Sequence, residues 1–384
     1  MAAAVKVVVI ADTRRVYRRE IVRGVAEYAR RAGNWILSFD PFGEQAPPRY
    51  ISVGGCHGVI VSASRPGIVE DVAAMGVPAV NVSGALEQRG MPSVVPDSFM
   101  IGRMAARHLL DRGLRNLGFV ADPGRLSSDE RAMGIDKEVK ARGVTCSFHV
   151  VHPQFRVHEK WLDLQKRLER WLQELPKPVG VIAANDIHCR RLAIACQRLG
   201  YRIPEDVALV GIDNEELTCE FSDPPMSSVD PSWWRVGFEA ASVLDGMMAG
   251  RPGPTKTVLI RPAGVVLRAS SDVLAVSDPL VAKAVTFIRD HAREGITVRD
   301  VVKHLSVSRR LLELRFSRCL GKSPNAEILR VRVDRAKGML VQTSLPLGSL
   351  AKACGFSDRR SMGNAFSKET GLTPSQYRRK YRRT

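Results

Sequence analysis

FSDRRSMGNAFSKETG, residues 356–371, sets two adjacent arginines at the head of a short helical pattern that ends in glycine. Earlier in the chain VSRRLLELRFSRCLG, residues 307–321, does nearly the same. Each stretch is preceded by a shorter amphipathic helix. TVRDVVKHL (297–305) starts at the cap residue Thr297, SVS turns the chain, and Ser308 caps a second helix that Gly321 closes. In the later copy residues 347–353 form the first helix, CGF makes the turn, Ser357 caps and Gly371 ends the second helix. The pattern is helix-turn-helix, twice. Leu312, Phe316 and Leu320 recur at helical spacing and are expected inside, as are Met362 and Phe366. That leaves Arg309, Arg310, Glu313 and Ser317 outward in one helix and Arg359, Arg360, Gly363 and Asn364 outward in the other. Arginine pairs with guanine O6 and N7, and asparagine with adenine N6 and N7, so these faces carry the chemistry of major-groove readers. Arg318, Lys322, Lys368 and the run Arg378–Lys380 suit phosphate contacts. A charged helix face is ordinarily just solvated; two copies with matching caps, turns and buried positions argue against that reading.

Charge placement agrees. The 384-residue chain has a formal charge of +18. Residues 280–384 hold 23 Lys+Arg against 8 Asp+Glu, a surplus of 15, which leaves only +3 for residues 1–279. A polyanion-binding surface is therefore expected in the last 105 residues. The seven cysteines are an odd number with no Cys-x-x-Cys pair, so they read as reduced, mostly packed thiols. No run approaches the ~20 apolar residues of a membrane span, and a cytoplasmic protein with no membrane partner is expected.

The first two thirds read differently. KVVVI (6–10), WILSF (35–39), GVIV (58–61), AVNV (79–82), LGFV (117–120), SFHVV (147–151), GVIA (180–183) and VALVGI (207–212) are strand candidates. Helical patterns near 17–32, 68–75, 100–112, 129–142, 157–175 and 187–199 separate them. Strand then helix, repeated, predicts parallel sheets covered on both faces, in two α/β lobes with a cleft between them. Ligands bind at the carboxyl ends of such strands, where the polar residues are Asp12, Asn81, Asn185, Asp186, Asp213 and Asn214. GGCHG (54–58) precedes a strand instead of joining strand to helix, so a phosphate-loop reading fails. Around ASSDVLAVSDPL (269–280) the alternation stops. The expected division is a two-lobed domain over residues 1–271, a linker over 272–278 and an all-α domain over 279–384.

At CGF, Phe366 and KETGLTPSQYR (368–378) the last ~105 residues resemble the AraC-type DNA-binding domain. The resemblance implies a long helix joining the two helix-turn-helix units, here about residues 325–341. Upstream, VVPDSFMIGRMAARHLLDRG (94–113), GVIAANDIHCRRLAIACQRLGYRIPEDVALVGIDN (180–214) and SSVDPSWWRVGFEAA (227–241) resemble LacI-type sensor domains, themselves similar to periplasmic sugar-binding proteins. The two together are the arrangement of the xylose operon regulator family, and GIDNEELT (211–218) strengthens the likeness. By resemblance Asp213 accepts hydrogen bonds from sugar hydroxyls, Asn185 or Asp186 adds a polar contact, and Arg131 is the cleft arginine. Asp97 is a weaker candidate. Ser128 stands where family members often carry an aromatic platform; Tyr17, Trp233 and Trp234 are the candidates to replace it, with a core or dimer-interface role the leading reading for each tryptophan taken singly. The implied partners are double-stranded operator DNA, a small sugar such as D-xylose, a second copy of the chain and RNA polymerase, with no cofactor or metal. Two other readings compete: a regulator with a degenerate or non-sugar effector pocket, acting through DNA and dimer contacts, and catalysis, with Asp12, Asp213, His57, His108 and His188 as the residues of the latter. Catalysis lacks a nucleophile elbow or metal-spaced cluster, and His188 reads as a satisfied surface histidine.

Overall fold

A computed structural model describes residues 4–40, 55–63, 67–85, 90–150, 161–272 and 278–381. Most of the 272–278 linker expectation thus lies outside the described residues, as does part of the helical pattern at 157–175. By packing, residues 1–108 with 115–271 make one compact unit, and residues 109–114 with 272–384 make a second.

The first unit opens with β1 (Val5–Ile10), α1 (Val16–Ala32), β2 (Trp35–Asp40), β3 (Gly58–Val61), α2 (Ile68–Ala73), β4 (Ala79–Asn81) and β5 (Val94–Pro96). Then come α3 (Ser98–Leu110), β6 (Asn116–Ala121), α4 (Leu126–Ala141), β7 (Thr145–Val150), α5 (Trp161–Glu174), β8 (Val179–Ala183) and α6 (Asp186–Leu199). It ends with β9 (Val207–Ile212), α7 (Glu216–Glu220), β10 (Ser227–Asp230), α8 (Trp233–Met248), β11 (Val258–Ile260) and β12 (Gly264–Val266). One sheet runs β2-β1-β3-β4, all parallel; a second runs β12-β10-β9-β8-β6-β7, parallel except for β12; and β11 pairs with β5 in a third, two-stranded parallel sheet. Strands β8 and β9 are buried along their whole length, as unbroken apolar runs in a sheet covered on both faces must be.

The two lobes exchange chain. After β10 in the second sheet, α8 returns to the first, where Val236, Ala240 and Leu244 join the core of Val7, Val9, Ile21 and Val25. The α1–α8 crossing is backbone against backbone. A Cβ on Gly24 would sit 2.0 Å from the Trp234 carbonyl oxygen, and one on Gly237 2.0 Å from that of Ile21. The crossing of α3 and α4 is as close, with Gly102 facing the Arg131 carbonyl and Gly134 facing that of Phe99, both at 2.1 Å from an added Cβ.

The second unit is helical: α9 (Pro279–His291), α10 (Val298–Leu305), α11 (Arg309–Leu320), α12 (Pro324–Gln342), α13 (Leu347–Ala353), α14 (Arg359–Thr370) and α15 (Pro374–Tyr381). It has two cores. Leu312 and Phe316 of α11 pack with Val281, Ile288 and Val301; Met362 and Phe366 of α14 pack with Leu350, Ala351 and Phe356. Helix α12 serves both, giving Ile328 to the first and Val333, Ala336 and Leu340 to the second. Thr297 and Asp300 form a reciprocal capping box, and the Ser308 side chain accepts from Leu311 N–H. The cap of α14 is Asp358, not Ser357: the Asp358 carboxylate accepts the Ser361 N–H at 2.7 Å, and Ser357 instead donates its hydroxyl to that carboxylate.

Candidate functional site

Between the carboxyl ends of the two parallel sheets lies a cleft of about 520 Å³. The loop after β1 contributes Asp12, Arg14 and Arg15, the first turn of α1 adds Tyr17, and Ser83 and Gly84 follow β4. From the other lobe come Asp122, Arg125, Ser128, Arg131, Asn185, Asp186, Asp213 and Glu215, with Trp233 at the head of α8. The volume suits a small polar molecule that is largely enclosed.

Arg131 projects from α4 at the point where Gly102 lets α3 touch it. Its guanidinium is buried and donates one Nη1 hydrogen bond to the Ala184 carbonyl, while its Nε has no partner. Burial pulls its pKa down, opposed chiefly by the Asp213 carboxylate. Asp213 directly follows β9 at φ 115, and Asn214 comes next at φ 50, both at positive φ that non-glycine residues seldom adopt. Three bonds hold this turn: Asp213 N–H to Val229 O, Asn214 N–H to Ser228 Oγ, and Arg268 Nη2 to Asn214 Oδ1. Burial raises the Asp213 pKa, although Arg131 and Arg15 draw it down. The Trp233 indole N–H, aimed close enough to help them, is buried outside hydrogen-bond geometry. Two buried donors of residues in the cleft lining, Arg131 Nε and Trp233 Nε1, therefore have no partner in hydrogen-bond geometry, the indole N–H lying nearest the Asp213 carboxylate. A buried donor left in this state calls for a partner, which a ligand or water entering the cleft can supply.

Asp186 and Asn185 are differently engaged. The Asp186 carboxylate lies 2.1 Å from where a Gly211 Cβ would be, accepts Ser228 Oγ–H at 2.7 Å and Glu215 N–H at 2.8 Å, and is 2% exposed. Burial, with Asp213 nearby, pushes its pKa well up. It braces the β9 turn from behind. Asn185 caps α6 through Oδ1, accepting His188 N–H at 2.9 Å, which leaves its amide N–H₂ for a ligand. His188 is buried and lies within 3.4 Å of the Arg191 guanidinium, not on the surface as expected.

Asp97 is absent from the cleft lining; its carboxylate accepts Met100 N–H at the start of α3. Asn81 is also a frame residue, bonded to Ala63, Ser83 and Ser93. Asp12 lines the cleft with both oxygens held at 2.8 Å by Arg14. Tyr17 and Trp233 stack on one another, ring centroids 4.6 Å apart, both in the lining, whereas Trp234 stacks on Phe238. Ser128 is buried and accepts Asp122 N–H. Sequence reasoning missed Arg14, Arg15 and Arg125; Arg14 and Arg15 stand directly after Asp12 at a strand end, where the same rule that singled out Asp12 would have found them.

In the helical unit α11 and α14 share one register, offset by 50 residues: Leu312 matches Met362, Phe316 matches Phe366, and Gly321 matches Gly371. Opposite the buried pair stand Arg310, Leu314 and Arg318 in α11, and Arg360, Asn364 and Lys368 in α14, all exposed. Arg359 is exposed beside this column, and Gly363 is half-buried with open space around it. Arg309 is exposed but ion-paired with Glu313 at 2.8 Å. Lys322 is paired at 2.8 Å with Glu327, which is fully buried and also held by Arg330 at 2.6 Å.

A two-lobe cleft and a double helix-turn-helix on one chain define an effector-controlled, DNA-binding transcription regulator. Comparison with known proteins agrees. The periplasmic binding protein-like domain family matches residues 106–271, and a helix-turn-helix domain family matches residues 301–380. The xylose operon regulatory protein of Escherichia coli (strain K12) is 30% identical over 97% of this chain and 96% of its own length. That of Haemophilus influenzae is 29% identical over 97% and 98%. A solved structure of a xylose-binding transcription activator, XylR, is 27% identical, covers 100% of both chains and has a TM-score of 0.64. The chain belongs to the family of xylose operon regulatory proteins, and it is a sugar-responsive, DNA-binding transcription regulator.

Proposed function

We propose that the sugar is a pentose, D-xylose first, held in the cleft of residues 1–271, and that residues 279–384 read operator DNA. The pair of unpartnered donors, Arg131 Nε and Trp233 Nε1, carries the reading of the cleft. A polyhydroxy ligand supplies acceptors to both, and its own hydroxyls donate to Asp213, whose carboxylate lies among them. Asn185 adds an amide donor. The stacked Tyr17 and Trp233 rings offer an apolar face to sugar C–H groups. The names of the E. coli and H. influenzae relatives point to xylose among the pentoses.

Sugar that favours the closed arrangement of the lobes shifts the population toward it, since equal affinity for both would shift nothing. The regulator acts in the cytoplasm as a homodimer, because paired half-sites need paired readers, and it meets RNA polymerase at the promoter. The relatives are regulators, and no catalytic step is assigned to the cleft. A second reading, a cleft that takes no sugar, has one feature in its favour: Asp12 is already saturated by Arg14. Calorimetry with D-xylose, L-arabinose, D-ribose and D-glucose decides between them. D-xylose should bind tightest and with loss of affinity in Asp213→Asn; heat from none of the four sugars would favour the sugar-free cleft.

A further inference from the structure

The outward face of α11 is not purely polar. Leu314 is 56% exposed and Leu311 37%, on a helix whose other outward residues are arginine, serine and Glu313. Leu314 stands two residues from Leu312 and two from Phe316, about 200° around the helix from each, so it occupies the centre of the face opposite the core. One turn before it is Arg310 and one turn after it is Arg318, both exposed and without an ion pair among the described residues. The neighbouring charges point elsewhere: Arg309 is engaged with Glu313, and Arg315 donates to Asp278 at 2.6 Å. A single exposed leucine means little by itself. This one sits in the register position that α14 gives to Asn364, at the midpoint of the column Arg360, Asn364, Lys368.

From this we infer that Leu314 is a specificity-determining residue that reads a thymine C5-methyl group in the major groove. The inference rests on the assignment of residues 279–384 as the DNA-reading unit. The flanking guanidiniums commit the face to a polyanion, which makes duplex DNA the occupant, and a leucine has no hydrogen bond to offer a base edge. The apolar feature displayed in the major groove is the thymine methyl. The two helices then read by different chemistry: α14 by the amide of Asn364, suited to adenine, and α11 by methyl contact. Removing one buried methyl from this contact should weaken binding about fourfold.

The test uses the full chain and a duplex selected by it from a random-sequence pool. Each thymine in that duplex is replaced in turn by deoxyuridine, which deletes the methyl and nothing else, and affinity is followed by fluorescence anisotropy. Wild type should lose roughly threefold to fivefold at one thymine within a half-site. Leu314→Ala should bind the thymine and deoxyuridine duplexes equally, at about the wild-type affinity for the deoxyuridine form. Leu314→Asn, on renewed selection, should move the preference at that base pair toward adenine. Indifference of wild type to every methyl overturns the inference, as does a Leu314→Ala protein that keeps the methyl preference. If Leu314→Ala keeps that preference but loses transcriptional output, the leucine faces a protein instead. Failure to select any duplex would overturn the DNA-reading assignment itself, and this inference with it.

Discussion

Gly102→Ala tests how the fold places the cleft arginine. A Cβ at position 102 meets the Arg131 carbonyl oxygen at 2.1 Å, its carbonyl carbon at 2.8 Å and its Cα at 2.9 Å, all backbone atoms that no side-chain rotation can move. Ordinary contact begins at 3.4 Å, so α3 and α4 must separate by 3.4 minus 2.1, or 1.3 Å, at this crossing. Arg131 rides on α4 at that spot, held by its hydrogen bond to the Ala184 carbonyl oxygen just after β8 in the same lobe. A shift of that size breaks or lengthens the bond and draws the guanidinium from Asp213. The expected stability cost is ~1–3 kcal/mol, the usual penalty of overpacking. Loss of one charge-assisted hydrogen bond to the ligand, ~1.5–3 kcal/mol, should raise the D-xylose dissociation constant by about 10-fold to 100-fold. Gly84→Ala is the control: its Cβ meets Ser127 and Val95 at 3.8 Å, an ordinary distance, in the same cleft. Calorimetry for affinity and thermal melting for stability read the two effects separately. A Gly102→Ala protein that melts earlier yet binds the sugar as tightly as wild type would refute the placement argument.

Three further outcomes follow from the same structure. Asp213→Asn should weaken sugar binding about tenfold or more while raising the melting temperature of the sugar-free protein at pH 7–8. The sign follows from the raised Asp213 pKa: folding disfavours the carboxylate, so its ionisation costs stability as pH rises above the ordinary carboxylate range, and the amide escapes that cost. Sugar hydroxyls favour the carboxylate, so wild-type affinity for D-xylose should fall as pH drops through the raised Asp213 range, and a flat profile in calorimetry would count against Asp213 as acceptor. Glu327→Gln should cost ~1.5–3 kcal/mol in denaturant melts, because it takes the buried carboxylate from the partly buried Lys322 and Arg330, of which Arg330 keeps Asp334 at 2.8 Å. The Glu327 pKa is lowered to about 2, so this stability is present in full above the ordinary glutamate range and disappears as pH falls toward 2. Arg310→Ala should lose ~1–3 kcal/mol at particular base pairs, whereas Arg318→Ala should weaken all sequences alike and flatten the salt dependence; equal losses in binding titrations would mean the reading face is misassigned.

Much of this was legible because the decisive signals are periodic. Unbroken apolar runs such as VALVGI become buried parallel strands, and Leu312/Phe316 with Met362/Phe366 fix the inward faces of both recognition helices. Short elements escaped. β5, β11 and β12 have three residues each, and β10 is SSVD, whose serines are buried by hydrogen bonds to Arg268, Asp186 and Asn214 that no hydrophobicity pattern can foretell. The cleft was half legible. Strand-end reasoning and family likeness reach Asp213, Asn185 and Arg131, but the division of labour does not follow from residue type. Asp186 braces a turn because Gly211 leaves room for its carboxylate, and Tyr17 finds Trp233, more than 200 residues away, only through the α1–α8 crossing. Leu314 was passed over because a leucine in a helix is read as core unless its angle is measured against its neighbours.

The most direct measurement is the affinity of the full chain for its selected operator duplex with and without saturating D-xylose, in wild type and in Asp213→Asn. The expected result is a change of about tenfold or more in wild type, the size of an ordinary coupling energy, and little or no change in the variant. An operator affinity that D-xylose leaves unmoved in wild type, or moves equally in Asp213→Asn, would contradict control of DNA binding through this cleft.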